Sequence, residues 1–295
     1  MSNVTEEYEG FWKNVPYATA TLGILGISSN LMGLFVLVRS NLLSIPFVSY
    51  IINILLADIG SAATVSIYWS FLYTINNGKI GFCQSFAYAN HLTYSVSNLA
   101  LMIFAFERFL LLNFPLTFQA FSRKSVVYLM LSTWFISSII EFPEYYKYKE
   151  FTVGDEIHCK LVQLDGAMAI MLTFVELIWE WVLPSIFLVL LNGGIIFALI
   201  RRKLTSQSKK SSDRGIARAL VLSCFIQVVC PIPRSVISLL MRYNVAEIPY
   251  PFYLAASSTF MILSHSFNSY LFMMSWSKMK TEYLKMFCCA NKNDN

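Results

Sequence analysis

The sequence predicts an all-α membrane protein: a bundle of seven transmembrane helices followed by a short interfacial eighth helix. Three observations predict it. The chain is 56% hydrophobic and 13% charged, about half the charged fraction of a soluble domain and too little to coat a water-facing surface. Its mean hydropathy is +0.57. Seven apolar runs follow one another with short connections, at roughly 17–39, 46–73, 84–112, 125–143, 167–200, 215–242 and 249–275, each close to or beyond the ~20 residues a helix needs to cross a bilayer.

Residues 1–16 carry Glu6, Glu7 and Glu9 and lack the basic start and short apolar core of a signal peptide, so they are expected as an outer tail, with span 1 as the targeting signal. Spans 46–73, 84–112 and 167–200 are longer than a crossing requires, so they tilt or project into the headgroups. Span 3 runs from Cys83 to Arg108, 25 residues apart, or ~37 Å of helix, about one bilayer with its interfaces. Lys278–Phe287 reads as an amphipathic interfacial helix. The expected organisation is therefore a tail over 1–16, the bundle over 17–275, and the interfacial helix and tail over 276–295.

Charge sets the orientation. With the N-terminus outside, the inner segments hold fifteen Lys and Arg and the outer segments six, as the positive-inside rule requires. Seven of the fifteen lie between Arg201 and Arg218, a stretch that either meets anionic lipid or is a solvated topology signal. Asn3-Val4-Thr5 is a glycosylation sequon on the outer tail.

Of six cysteines, Cys83 and Cys159 face outward. They form a disulfide in that oxidising compartment or stay as two thiols. Cys224 and Cys230 fall inside span 6 as packing residues. His91, His158 and His265 have no metal-ligand spacing in the sequence, and no Ser or Cys stands beside a base in a catalytic motif.

Ionisable side chains within spans are costly in lipid and mark function or internal pairing. Asp58 stands mid-span, as a packing group or as a buried cation site, and His265 in span 7 is a further ionisable group, less costly because it can be neutral. Glu107-Arg108-Phe109 closes the inner end of span 3. Glu176 and Glu180, four apart, share one helix face. Arg234 lies at a comparable depth in span 6, so Glu and Arg either pair structurally or line a polar ligand site.

These landmarks, in this order, resemble the rhodopsin-like G-protein-coupled receptors over nearly the whole chain. Asn30 matches the asparagine of span 1, Leu56-Ala57-Asp58 the acidic motif of span 2, and Cys83 with Cys159 the outer disulfide. Glu107-Arg108-Phe109 followed by Pro115 is similar to the Asp/Glu-Arg-Tyr motif and its loop proline. Trp134, Pro184, Phe225 with Cys230-Pro231-Ile232-Pro233, and Asn268-Ser269 with Phe272 match landmarks of spans 4 to 7. Cys288 and Cys289 stand where such receptors are often palmitoylated.

The resemblance implies a mechanism. An extracellular ligand stabilises one helix arrangement, and the inner ends of spans 5 and 6 open for a heterotrimeric G protein. Arg108 is held by Glu107 at rest. Asp58, Ser97, Ser264 and Asn268 form a polar switch site with a sodium ion at Asp58, and Pro184, Pro231 and Pro233 bend their helices. Span 6 lacks the family tryptophan, Ser269 replaces a proline, and Phe272 lacks a tyrosine hydroxyl, so the switch is atypical.

By the same resemblance the ligand site includes Asn90, His91, Tyr94, Glu176, Trp179, Glu180, Arg234 and Tyr253, although an aromatic stripe on a membrane helix also serves plain packing. Asn90 stands where amine receptors carry aspartate, and Ile262 where opsins carry lysine. The implied function is a plasma-membrane receptor, not an enzyme, for a small ligand, similar to the chemosensory-type receptors of invertebrates. A small-peptide receptor and a non-signalling decoy are the alternatives. A transporter is the rival outside the class, but the chain shows no internal repeat. A channel lacks its filter segment.

Overall fold

The computed structural model describes residues 2–74, 83–146, 148–153, 156–161, 166–204, 211–242 and 250–287. Ten α-helices are described. Spans 1 to 4 are α1 (Ser2–Arg39), α2 (Val48–Thr74), α3 (Cys83–Asn113) and α4 (Arg123–Ile140). Span 5 is α5 (Gly166–Phe174), a π-helical segment Val175–Val182, and α6 (Leu183–Leu204). Span 6 is α7 (Ser211–Val229) and α8 (Pro231–Arg242), span 7 is α9 (Tyr250–Ser275), and α10 is Ser277–Phe287. Six spans meet the length and hydropathy of a bilayer crossing, and α9, 26 residues long, adds the seventh.

Local chemistry sets several of these boundaries. Ser122 caps α4 by accepting the Ser125 N–H at 3.2 Å, which satisfies one of the orphan donors of the first turn. Span 6 breaks at Cys230, and Pro231 and Pro233 both fall in the first turn of α8. A proline costs little there, because first-turn N–H groups have no helical partner. In span 5 the widened π turns stop at Val182, just before Pro184.

Two features differ from the sequence expectation. The backbone of the stretch expected as a tail is helical from Ser2 and continuous with span 1. The apolar run marks where lipid begins, whereas the helix continues through polar residues such as Glu that also favour it. The loop between spans 4 and 5 carries an antiparallel hairpin, β1 (Tyr148–Val153) with β2 (Glu156–Leu161), Val153 pairing with Glu156. Gly154-Asp155 between the strands is a strong hairpin dipeptide.

Solvation is reversed relative to a soluble protein. Leu25, Phe35, Val38, Tyr128, Leu131, Phe135 and Phe197 lie on the outer faces, while Asn30, Asp58, Asn98, Gln227 and His265 are buried inside. Hydroxyls on the outer faces bond back to their own helix: Ser28 to the Ile24 carbonyl at 2.8 Å and Ser132 to the Tyr128 carbonyl at 2.9 Å. Such bonds are required where no water is present.

Between helices the polar side chains pair with one another. Trp134 Nε1 donates to Asn53 at 2.9 Å, joining α4 to α2. Ser137 donates to Ser95 at 3.1 Å, joining α4 to α3. Gln227 donates to Asn98 at 2.5 Å, joining α7 to α3. At the Arg108 end, Tyr50, Phe104, Phe272 and Trp276 form the bulkiest part of the apolar core.

Gly215 marks a close backbone approach. A Cβ at this position would stand 2.1 Å from the Ser275 carbonyl oxygen and 3.4 Å from Trp276 Cα. The start of α7 therefore lies directly on the α9–α10 junction. Gly215→Ala is expected to cost about 1–3 kcal/mol by overpacking, read as a lowered melting temperature of the purified protein in detergent. An unchanged melt would contradict this packing.

Candidate functional site

Three polar layers lie along α3, and α3 contributes to each. The first is near the Cys83 end. His91, on α3, hydrogen-bonds through Nδ1 to Glu180 Oε1, and its Nε2 is 3.6 Å from Glu144 Oε2. Glu180 lies in the π-helical segment, where an extra residue per turn rotates side chains to new directions, a device common at functional sites. Glu141 ends α4, and Glu144 lies in the 3-10 turn Phe142–Tyr146 that follows. Each of these four side chains is buried. One ligand atom from each of His91, Glu141 and Glu180 falls within 4.8 Å of the others, a spacing that a cation or a ligand's cationic group would also fit.

Other side chains frame this layer. Trp179 Nε1 donates to Ser95 at 3.1 Å, and Asn98 donates to the Glu180 carbonyl at 3.4 Å. A cavity with room for about one water is lined by Ser95, Asn98, Trp179, Glu180 and Pro184. Asn90 accepts from Ser61 at 3.1 Å, tying α3 to α2. Tyr94 is buried and turned edge-on to His265, 5.3 Å away, which places it against the second layer. The side chains of Glu176, Arg234 and Tyr253 lie outside the described residues.

The second layer surrounds Asp58, which has no exposure. Its Oδ1 accepts from Ser97 Oγ at 2.7 Å and His265 Nδ1 at 2.6 Å. Its Oδ2 accepts from Asn268 Nδ2 at 2.8 Å. Ser264 is not part of this set, since its hydroxyl donates to the Met261 carbonyl at 2.7 Å. His265 takes its place, a residue the sequence marks only as an ionisable side chain within span 7.

The third layer is at the other end of α3. Glu107 Oε1 accepts the Phe121 backbone N–H at 2.8 Å, which ties α3 to the loop before α4. Arg108 Nη2 is 4.0 Å from Glu107 Oε2, the outer limit of an ion pair. Its guanidinium lies 4.4 Å above the Phe47 ring and 5.2 Å from that of Phe104. Phe47 packs on Trp276, with ring centroids 5.1 Å apart. A planar, weakly hydrated guanidinium suits such an aromatic seat, so Arg108 rests on aromatics as well as on Glu107. Phe109 packs into the space that Gly194 leaves by having no side chain, with no room for a Cβ there.

The remaining expected sites fall elsewhere. The side chains of Asn3, Cys83 and Cys159, and all of Cys288 and Cys289, lie outside the described residues. Cys224 and Cys230 are free thiols. Glu141, Glu144, Phe47 and Trp276 are additions from the structure. The two carboxylates follow an apolar run at a helix end, and the two aromatics resemble ordinary packing residues, so neither pair stands out in the sequence.

Comparison with known proteins places this arrangement. Residues 29–288 match the family model described as 7 transmembrane receptor (rhodopsin family). The fold is similar to that in the crystal structure of squid rhodopsin, with a TM-score of 0.79 at 12% identity, covering 96% of this chain and 89% of that one. No curated protein matches the sequence.

The buried His91–Glu180 contact yields a prediction. His91→Ala, Glu180→Gln and the double substitution are expected to be non-additive in thermal stability, with a coupling of about 1 kcal/mol or more. Strictly additive melting shifts would show that the two groups do not interact.

Proposed function

The chain belongs to the rhodopsin family of seven-transmembrane receptors, and from that premise we propose that it binds a small extracellular ligand and activates a heterotrimeric G protein. The family makes it a multi-pass membrane receptor rather than an enzyme. The proposed setting is the plasma membrane, with residues 1–16 outside, 17–275 as the bundle, and 276–295 inside. In that setting Asn3 carries a glycan, Cys83 and Cys159 pair, and Cys288 and Cys289 are lipid-anchored. The excess of Lys and Arg on the inner segments supports this orientation.

The observation that carries the ligand reading is the buried His91–Glu180 pair on a π-helical turn, with Glu141 and Glu144 beside it. Buried polar groups that converge in the outer half of a bundle are what a small-ligand site requires. Asn90, Tyr94, Trp179, Arg234, Tyr253 and Glu176 complete the proposed wall. Three carboxylates about one imidazole favour a ligand with a positively charged group. That same observation supports the second reading, a short peptide with a basic side chain.

A ligand at this layer shifts the helices only through its difference in affinity for two arrangements. Ligand and G protein then strengthen each other's binding. At the inner end, Arg108 leaves its seat on Phe47 and Phe104 to meet the G protein. Glu107 and Phe109 hold α3 to the loop and to α6 meanwhile.

The test is activation of a G-protein panel by tissue extracts in cells that display the tagged receptor. Arg108→Ala is expected to abolish activation. His91→Ala and Glu180→Gln are expected to lower extract potency by about tenfold or more, as loss of one charged hydrogen bond does, with surface display retained. Activation that survives Arg108→Ala would contradict coupling through this residue. Silence toward every extract would point to a decoy, and solute uptake that persists after G-protein depletion to a transporter.

A further inference from the structure

The family resemblance puts a sodium ion beside Asp58, and the residues present do not fit one. Hard cations take oxygen ligands. Around the Asp58 carboxylate the structure instead converges three hydrogen-bond donors: Ser97 Oγ at 2.7 Å, His265 Nδ1 at 2.6 Å and Asn268 Nδ2 at 2.8 Å. Two of the three are adaptable. The serine hydroxyl has lone pairs, and the asparagine amide, turned over, presents its oxygen. His265 is not adaptable in this way, since its imidazole offers only nitrogen and its ring fills the space at Oδ1.

The surroundings keep the ring in place. His265 and Asp58 both have side chains with no exposure. Tyr94 packs edge-on against the imidazole at 5.3 Å. Asn30 donates from α1 to the His265 backbone carbonyl at 3.2 Å, which holds the residue's main chain. His265 Nε2 has no hydrogen-bond partner among the described residues, so Asp58 is the one polar anchor described for the ring. Ser264, the other side chain assigned to the ion, donates its hydroxyl to the Met261 carbonyl and makes no bond to Asp58 among the described contacts.

We propose that the imidazole of His265 occupies the cation position at Asp58, so that this receptor binds no sodium there. The specificity of the intramembrane site then rests on one residue. A small hydroxyl at position 265 reopens the space at Oδ1 and exposes the carboxylate to a cation. The inference rests on the side-chain geometry about Asp58 and needs no identified ligand.

The experiment uses the full-length protein purified in detergent, melted in sodium chloride and in potassium chloride at equal ionic strength. Asp58→Asn serves as the control for any sodium effect at this carboxylate. Binding to the folded state alone raises the melting temperature by mass action. The native protein is expected to melt within about 1 °C in the two salts, relative to Asp58→Asn. His265→Ser is expected to gain a sodium-specific rise of about 3 °C or more, lost again in the Asp58→Asn/His265→Ser double variant. A sodium-specific, Asp58-dependent rise in the native protein overturns the proposal. So does a folded His265→Ser protein that gains no sodium response. Where His265→Ser does not fold, the native protein against Asp58→Asn decides by itself.

Discussion

A carboxylate sealed from water at mid-bundle must be solvated by protein groups, because lipid offers it no donor. Asp58 meets that requirement with Ser97 from α3 and with His265 and Asn268 from α9. Those bonds fix three helices about one point. Asn30 adds α1 through the His265 carbonyl, and Ser269 reinforces the same seam by donating to the Ser29 carbonyl at 2.7 Å. Spans 1, 2, 3 and 7 are thereby joined by directional bonds. Span 5 is bonded to α3 through His91–Glu180, Trp179–Ser95 and Asn98–Glu180, and span 6 through Gln227 to Asn98.

Asn98 touches both of these spans, donating to the Glu180 carbonyl in span 5 and accepting from Gln227 in span 6. A chain of hydrogen bonds therefore runs from His91 through Glu180 and Asn98 to Gln227 in span 6. At the opposite end, Gly215 lets α7 lie on the α9–α10 junction beside Trp276, and Trp276 packs on Phe47, the seat of Arg108. The contacts of Arg108 and the position of span 6 thus share a common set of neighbours.

The seven spans were legible because hydropathy in lipid is a strong constraint, and Asp58, Arg108 and Asn268 because a polar residue within such a run has few bland explanations. The π turn was not legible, since nothing in Val175–Val182 distinguishes it from an α-helix before Pro184. Glu141 falls at the end of the fourth apolar run and Glu144 just after it, and the 3-10 turn Phe142–Tyr146 brings Glu144 to His91. The hairpin between spans 4 and 5 had a signal in Gly154-Asp155, overshadowed by the membrane pattern around it. His265 stood out as an ionisable side chain within span 7, but its pairing with Asp58 follows only from the helix packing.

The proposed activation requires the Asp58 layer to hold the helices in one of two arrangements that differ at the inner end of span 6. Spin labels at two exposed positions, Arg123→Cys on α4 and Arg218→Cys on α7, would report the distance between those elements by pulsed electron resonance. The account predicts two distance populations whose relative weights change when Asp58→Asn replaces the carboxylate that His265, Ser97 and Asn268 surround. Superimposable distance distributions for the native and Asp58→Asn proteins would contradict it.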